Sequence, residues 1–320
     1  MAKGYHHVTQ EIRSQIQVLK ASGCSLRSIA TQVGLHASTI SREIKRNSGQ
    51  RGYRYQQAES KAIERRHAAS KRPHKLTAEL VGMIQEKIRM DWSPEQISGW
   101  LKRQGTLISH ESIYRMIWAD KKAGGKLYQH LRHHGKRYNK RSSGKAGRGC
   151  IPGRVDISER PKIVELKSRY GDWEVDTMSG GNHQGNLFTG VDRYSKFTIL
   201  KKIGTKHAAH VVEAMKERMS ALLHPVLTVT FDNGKEFARH EEIAFALDAL
   251  CFFAKPYRAW ERGLNEHTNG LVRQYLPKSS DLNKVSDEFV AYIEDRINNR
   301  PRKVLGYQSP FEVWSGGLQS

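Results

Sequence analysis

Apolar residues in the first third of the chain recur at helical spacing. Ile12, Ile16 and Leu19 fall at i, i+4 and i+7, one buried face of a helix. Gly23 stops that pattern, and Ser25 can cap a second helix with Leu26, Ile29, Ala30 and Val33 as its apolar stripe. Gly34 interrupts again, and Ile40 and Ile44 anchor a third helix opened by His36 or Ser38. A polar, basic stretch at about 47–74 lacks such a face and reads as a linker. The helical pattern resumes with Leu80, Ile84 and Ile88. It continues through Ser93-Pro94-Glu95-Gln96, a Ser cap with Pro at the first helical position and Gln three residues on, into Ile97, Trp100 and Leu101. Ser109 opens a further helix with Ile113, Met116 and Ile117 on its apolar side.

After Pro161 the period changes. Short β-branched or aromatic runs at 173–178, 187–191, 197–201 and 226–231, bounded by Gly, Asn or Asp, predict strands, with a shorter one at 251–254. Helical stretches fall at about 205–223, 240–249, 262–275 and 285–299. Three adjacent strands suggest an antiparallel meander, and the later alternation suggests parallel strands joined by crossovers. The expected organisation is multidomain. A helix-turn-helix domain at 1–50, a basic linker at 51–74 and a second helical, helix-turn-helix-like domain at 75–120 come first. A basic linker at 121–154 then leads to an α/β domain with a mixed sheet at 155–320.

Charge sharpens this division. Residues 1–150 carry 30 Lys+Arg against 10 Asp+Glu, whereas residues 151–320 carry 24 against 22. A basic excess confined to one half is the footprint of a polyanion-binding module. From Lys126 to Cys150 there are eight Lys+Arg and no acid; beside DNA, Lys136, Arg137, Lys140 and Arg141 would order along phosphates. No apolar run is long enough to span a bilayer, and no signal region opens the chain. The three cysteines form no C-x-x-C pair, as expected in a reducing compartment. A cytoplasmic, nucleoid-associated protein without membrane contact is expected.

Two crossing helices need a small residue where they touch, a φ > 0 residue in the turn and a branched residue sealing the second helix. Ala30, Gly34 and Ile40 supply them. The second of these helices would present His36, Ser38, Thr39 and Arg42 to base edges, with Lys45 and Arg46 on phosphates. A plain three-helix bundle with a solvated polar face is the bland alternative.

Three acids stand out in the second half. Asp176 sits mid-strand, Asp232 follows the apolar run 227–231, and Glu266 lies on a predicted helix with Asn269 and Arg273 at i+3 and i+7. Singly, they read as an edge charge, turn chemistry and a surface acid paired with Arg262 or Arg273. Together they can converge at one edge of a ribonuclease-H-like sheet. Carboxylate oxygens suit hard divalent ions such as Mg²⁺, and two such ions can clamp an in-line phosphoryl displacement. No nucleotide cofactor is expected, because no G-x-x-x-x-G-K-[ST] loop is present.

At these residues the sequence resembles the transposases of the bacterial IS30 family of insertion sequences. The likeness runs through residues 38–47, Ser93-Pro94-Glu95-Gln96-Ile97, Ser112-Ile113-Tyr114 and Gly171-Asp172-Trp173-Glu174-Val175-Asp176-Thr177. It continues in Phe231-Asp232-Asn233-Gly234-Lys235-Glu236-Phe237, residues 260–271 and Asn298-Asn299-Arg300-Pro301-Arg302-Lys303. The resemblance implies an α/β, retroviral-integrase-like catalytic domain and an Asp-Asp-Glu triad at Asp176, Asp232 and Glu266. It also implies two Mg²⁺ ions, replaceable by Mn²⁺. The implied DNA partners are terminal inverted repeats and target DNA, met by a homodimer or larger assembly. Arg258, Asn269 and Arg273 complete the candidate DNA contacts. Val175, Leu264 and His267 stand where Gly, Thr and Asn are common, which bears only on fine DNA contacts. A regulator with an inactive core and a ribonuclease H acting on RNA–DNA hybrids are the rival readings. The intact acids oppose the first, and the helix-turn-helix opposes the second.

Overall fold

The computed structural model describes residues 7–70, 76–132, 151–255 and 262–316. The chain divides into two units, residues 1–75 and 76–320.

The first unit holds α1 (Gln10–Ala21), α2 (Leu26–Gln32), α3 (Ala37–Asn47) and α4 (Tyr55–Ser70). Thr9 caps α1, Ser25 caps α2, and the His36 ring, rather than Ser38, caps α3 by accepting from the Ser38 N–H at 3.2 Å. Ile16, Ile29, Ala30 and Ile40 form the core with Tyr53 and Ala58. Gly34, at φ +68°, makes the tight turn between α2 and α3. Helix α4 occupies the stretch expected to be a linker. Its buried positions are the small Ala58 and Ala62, so it carries almost no apolar periodicity. Polar contacts dock it instead: Arg13 on Glu59 at 2.6 Å, Lys61 on the Ser48 carbonyl at 2.8 Å, and Arg65 on Asn47.

The second unit begins with α5 (Ala78–Arg89), α6 (Pro94–Arg103) and α7 (His110–Lys122), packed around Ile84, Ile88, Ile97, Leu101, Ile113 and Ile117. Ser93 and Gln96 form the reciprocal cap that the sequence predicts. This helical set is joined to the rest of its unit. Tyr275 donates to Asp91 at 3.0 Å, Arg103 donates to the Tyr307 carbonyl at 2.9 Å, and Lys303 meets Glu95 at 2.7 Å. At Gly99 an added Cβ would lie 2.3 Å from the Tyr307 ring, so only Gly lets them approach.

There follow α8 (Lys162–Leu166), β1 (Asp172–Ser179), β2 (Asn186–Asp192), β3 (Thr198–Ile203) and α9 (Ala208–Met219). The chain continues through β4 (Thr228–Phe231), α10 (His240–Leu247), β5 (Leu250–Phe253), α11 (Gly263–Tyr275), α12 (Asp287–Asn298) and α13 (Pro310–Gly316). The sheet order is β3-β2-β1-β4-β5. Strands β1 to β3 form the antiparallel meander, and β4 and β5 run parallel to β1. This is the mixed sheet that the sequence predicts. Trp173, Val175, Phe188, Val229 and Phe231 belong to one core with Val211 and Met215 of α9 and Ile243 of α10. Met178, Leu187 and Leu200 belong to a second core with Leu271 and Val272 of α11 and Ile293 and Ile297 of α12. Both faces are therefore covered. Among the described residues no helix is long and apolar enough to cross a membrane.

Candidate active site

Strand alternation decides which side chains of β1 reach the site. Trp173 and Val175 enter one core, so Glu174, Asp176 and Met178 share the face that α11 covers. Asp176 is half-buried. Its Oδ2 accepts from Asn269 Nδ2 at 2.8 Å and its Oδ1 from the Thr177 N–H at 2.9 Å. Thr189, opposite Asp176 on β2, donates to Asn269 Oδ1 at 2.9 Å and fixes that amide. Burial raises the Asp176 carboxyl above the usual carboxylate range; Arg262 opposes this, and Asp232 adds to it.

Asp232 lies one residue past the end of β4, next to β1 in the sheet, and its Oδ1 accepts from the Gly234 N–H at 2.8 Å. Arg262, at the N-cap of α11, bridges the two acids. It lies 3.5 Å from Asp176 Oδ1 and 3.3 Å from Asp232 Oδ2, and it donates to the Val175 carbonyl at 2.7 Å. The structure thus gathers two carboxylates around one buried cation. Glu266 is exposed in the first turn of α11, on the same face as Asn269. Among the described residues, no three His, Cys, Asp or Glu side chains approach closely enough to hold a metal ion.

Two residues of this site were not singled out in the sequence. Arg262 entered only as a surface partner for Glu266. Glu174 is buried beneath α11, where it accepts from Arg193 Nη1 at 2.5 Å and from the Asn265 N–H at 3.2 Å, tying the start of α11 to β1. The available signal was its position two residues before Asp176, on the same face of a buried strand.

Asn269 is engaged with Asp176 and Thr189, and Arg273 donates to the Ser179 carbonyl at 2.8 Å and the Leu276 carbonyl at 3.4 Å. Both hold α11 against the sheet. Lys136, Arg137, Lys140, Arg141 and Arg258 lie outside the described residues. His36 at the N-cap of α3 and Arg42, Lys45 and Arg46 along it are exposed, and Ser38 and Thr39 are half-buried. Arg42 donates to Ser38 Oγ at 3.1 Å, one turn away.

A mixed five-stranded sheet, with one acid inside β1 and another at the end of the parallel neighbour β4, defines an integrase-type core behind a helix-turn-helix. Comparison with known proteins agrees. The helix-turn-helix domain family matches residues 4–47, and the integrase core domain family matches residues 167–259. The transposase for insertion sequence element IS4351 of Bacteroides fragilis is 46% identical over 309 residues, covering 96% of this chain and 94% of that protein. Transposase InsI for insertion sequence element IS30A of Escherichia coli K12 is 36% identical, covering 98% and 84%. The transposase for insertion sequence element IS1086 of Cupriavidus metallidurans is 36% identical, covering 97% and 94%. The chain belongs to the IS30 family of transposases. It is a transposase with an Asp-Asp-Glu-type integrase core, a class generally dependent on divalent metal, and its helix-turn-helix makes it a DNA-binding protein.

Proposed function

We propose that this transposase binds the terminal inverted repeats of an insertion sequence through α3. It then cleaves DNA at their ends and transfers the freed 3′-hydroxyl into target DNA, with Mg²⁺. The observation that carries this reading is the convergence of Asp176 and Asp232 on the Arg262 guanidinium beside α11. Two carboxylates drawn to one cation form a hard-oxygen donor set suited to Mg²⁺. Asp176, Asp232 and Glu266 would hold the metal, whose chemistry when bound is Lewis-acid activation of the attacking oxygen and stabilisation of the leaving one. Asn269 orients Asp176, Thr189 orients Asn269, and Glu174 fixes the start of the helix that carries Glu266.

The test is cleavage of a plasmid carrying the element's ends. Mg²⁺ and Mn²⁺ should support cutting and joining, and Ca²⁺ should allow DNA binding without turnover, because its loose coordination misplaces the in-line oxygens. Cutting that survives chelation of all divalent metal would sink the reading, and absence of cutting with Mg²⁺ would favour a DNA-binding regulator.

For α3, Arg42→Ala should weaken binding to end DNA by about 1–3 kcal/mol and relax specificity at one or two base pairs. Lys45→Ala should weaken all sequences about equally. Fluorescence anisotropy on end and random duplexes distinguishes the two patterns; equal losses on both duplexes for Arg42→Ala would remove its base-reading role. The working unit is a dimer or larger, since paired inverted ends call for a symmetric assembly. Sedimentation of the protein with end DNA measures this, and one chain spanning two ends would refute it.

A further inference from the structure

Beside the acid pair, a cleft of about 950 Å³ opens between the segment around α8, the start of α11 and residues 302–305. Glu174 lines it, two residues before Asp176 on the same face of β1 and so about 7 Å along the strand. His267, which follows Glu266, lines it from α11.

Its lining collects like charge. Among the described residues that line it, Arg160, Lys167, Arg193, Lys196, Lys255 and Arg302 outnumber the two carboxylates Glu165 and Glu174, and outside the lining Asp156 lies 3.8 Å from Lys255. Arg193 holds both Glu165 and Glu174, with Arg160 also on Glu165. Among the described residues the Nε atoms of Arg160 and Arg302 have no hydrogen-bond partner, although these residues are only 7% and 8% exposed. Burying such donors unmatched is unfavourable. Burial, with Arg300 and Arg132 nearby, pushes Arg302 down to about 9. Burial, with Lys167 next in effect, pushes Lys196 down to about 8. A fold that holds cations together against their own repulsion gains when a polyanion enters. The cleft is larger than a phosphate needs, and Tyr194, Leu264 and Leu305 give it an aromatic and apolar wall suited to a sugar and base.

We propose that this cleft is a second nucleic-acid site, holding one nucleotide of an unpaired DNA strand next to the cutting centre, with its phosphate on Lys167, Lys196 and Arg302. The proposal rests on the DNA-processing reading above, but its test does not depend on catalysis. The full-length chain is labelled at lysines with an acetylating reagent at pH 8, alone and with three probes: end duplex with a single-stranded extension, the same duplex blunt, and inorganic pyrophosphate. The extended duplex should protect Lys167 and Lys196 severalfold, and the blunt duplex should protect them much less. Iodouracil placed in the extension should crosslink to the peptide containing Tyr194. The Asp176→Asn protein should show the same protection, so that a failure of the catalytic reading and a failure of the cleft are told apart. Labelling at both lysines unchanged by extended DNA would overturn the proposal. Protection by pyrophosphate without protection by DNA would also overturn it, marking a site for free anions.

Discussion

Asp176→Asn, Asp232→Asn and Glu266→Gln should each lower strand transfer by roughly a thousandfold or more while leaving binding to end DNA intact. Each change removes a ligand charge and keeps the shape of the side chain. Several kcal/mol of transition-state charge stabilisation depend on a metal held in place, and each 1.36 kcal/mol is tenfold in rate. The substitutions should also be structurally mild. Asp176 accepts from Asn269 and from the Thr177 N–H, and an amide oxygen can keep one of these bonds. Asp232 accepts from Gly234 at the surface end of β4, and Glu266 is exposed. The measurement is joining of precut ends to a target plasmid, after circular dichroism and end binding have shown each variant to be folded and competent. Near-normal joining by any one variant would remove that residue from the catalytic set.

Glu43→Ala should unfold the N-terminal unit and abolish end binding without changing the melting of the second unit. Glu43 is buried and accepts from Arg13 Nε at 2.8 Å, Asn47 at 2.6 Å and Tyr53 at 3.2 Å. Removing it strands the Arg13 guanidinium, which is 5% exposed, with Glu59 as its remaining acid. Breaking a buried pair in this way costs about 3–5 kcal/mol, a large share of what holds a small unit together. Replacing both partners with apolar residues of similar volume, Arg13→Met with Glu43→Leu, should restore much of the stability. Thermal unfolding followed alongside anisotropy on end DNA checks both variants. A Glu43→Ala protein that melts and binds like the parent would show that the ion pair is incidental.

The elements that bury a regular apolar stripe were legible in the sequence. Helices α1 to α3 declare themselves through Ile16, Ile29 and Ile40, and the five strands through short apolar runs, because each side chain there meets a continuous core. Helix α4 was not legible, because alanines and ion pairs dock it rather than an apolar face. At the site, the placement of Asp176 inside β1 and Asp232 at the end of β4 followed from pattern alone. The bridging role of Arg262 did not, since it depends on how α11 is set against the sheet, and nothing local encodes that. Glu174 shows the same limit: a charged residue in a strand reads as an edge position until Arg193 and the Asn265 N–H are seen to meet it. The cleft lined from Ile157 to Leu305 is assembled from segments far apart in the chain and has no local signature.

The close packing of Gly99 on the Tyr307 ring, with Lys303 on Glu95 and Arg103 on the Tyr307 carbonyl, has a consequence for how parts of this protein can be exchanged. A chimera that takes residues 76–132 from a relative inherits one half of a fitted joint. Any side chain at position 99 would wedge the two halves apart, and a smaller residue at 307 would leave a void against Gly99. Residues 300–312 must therefore travel with the helical set. The helix-turn-helix unit is different: the chain divides between residues 75 and 76, so a graft made there exchanges the helix-turn-helix and leaves that joint whole.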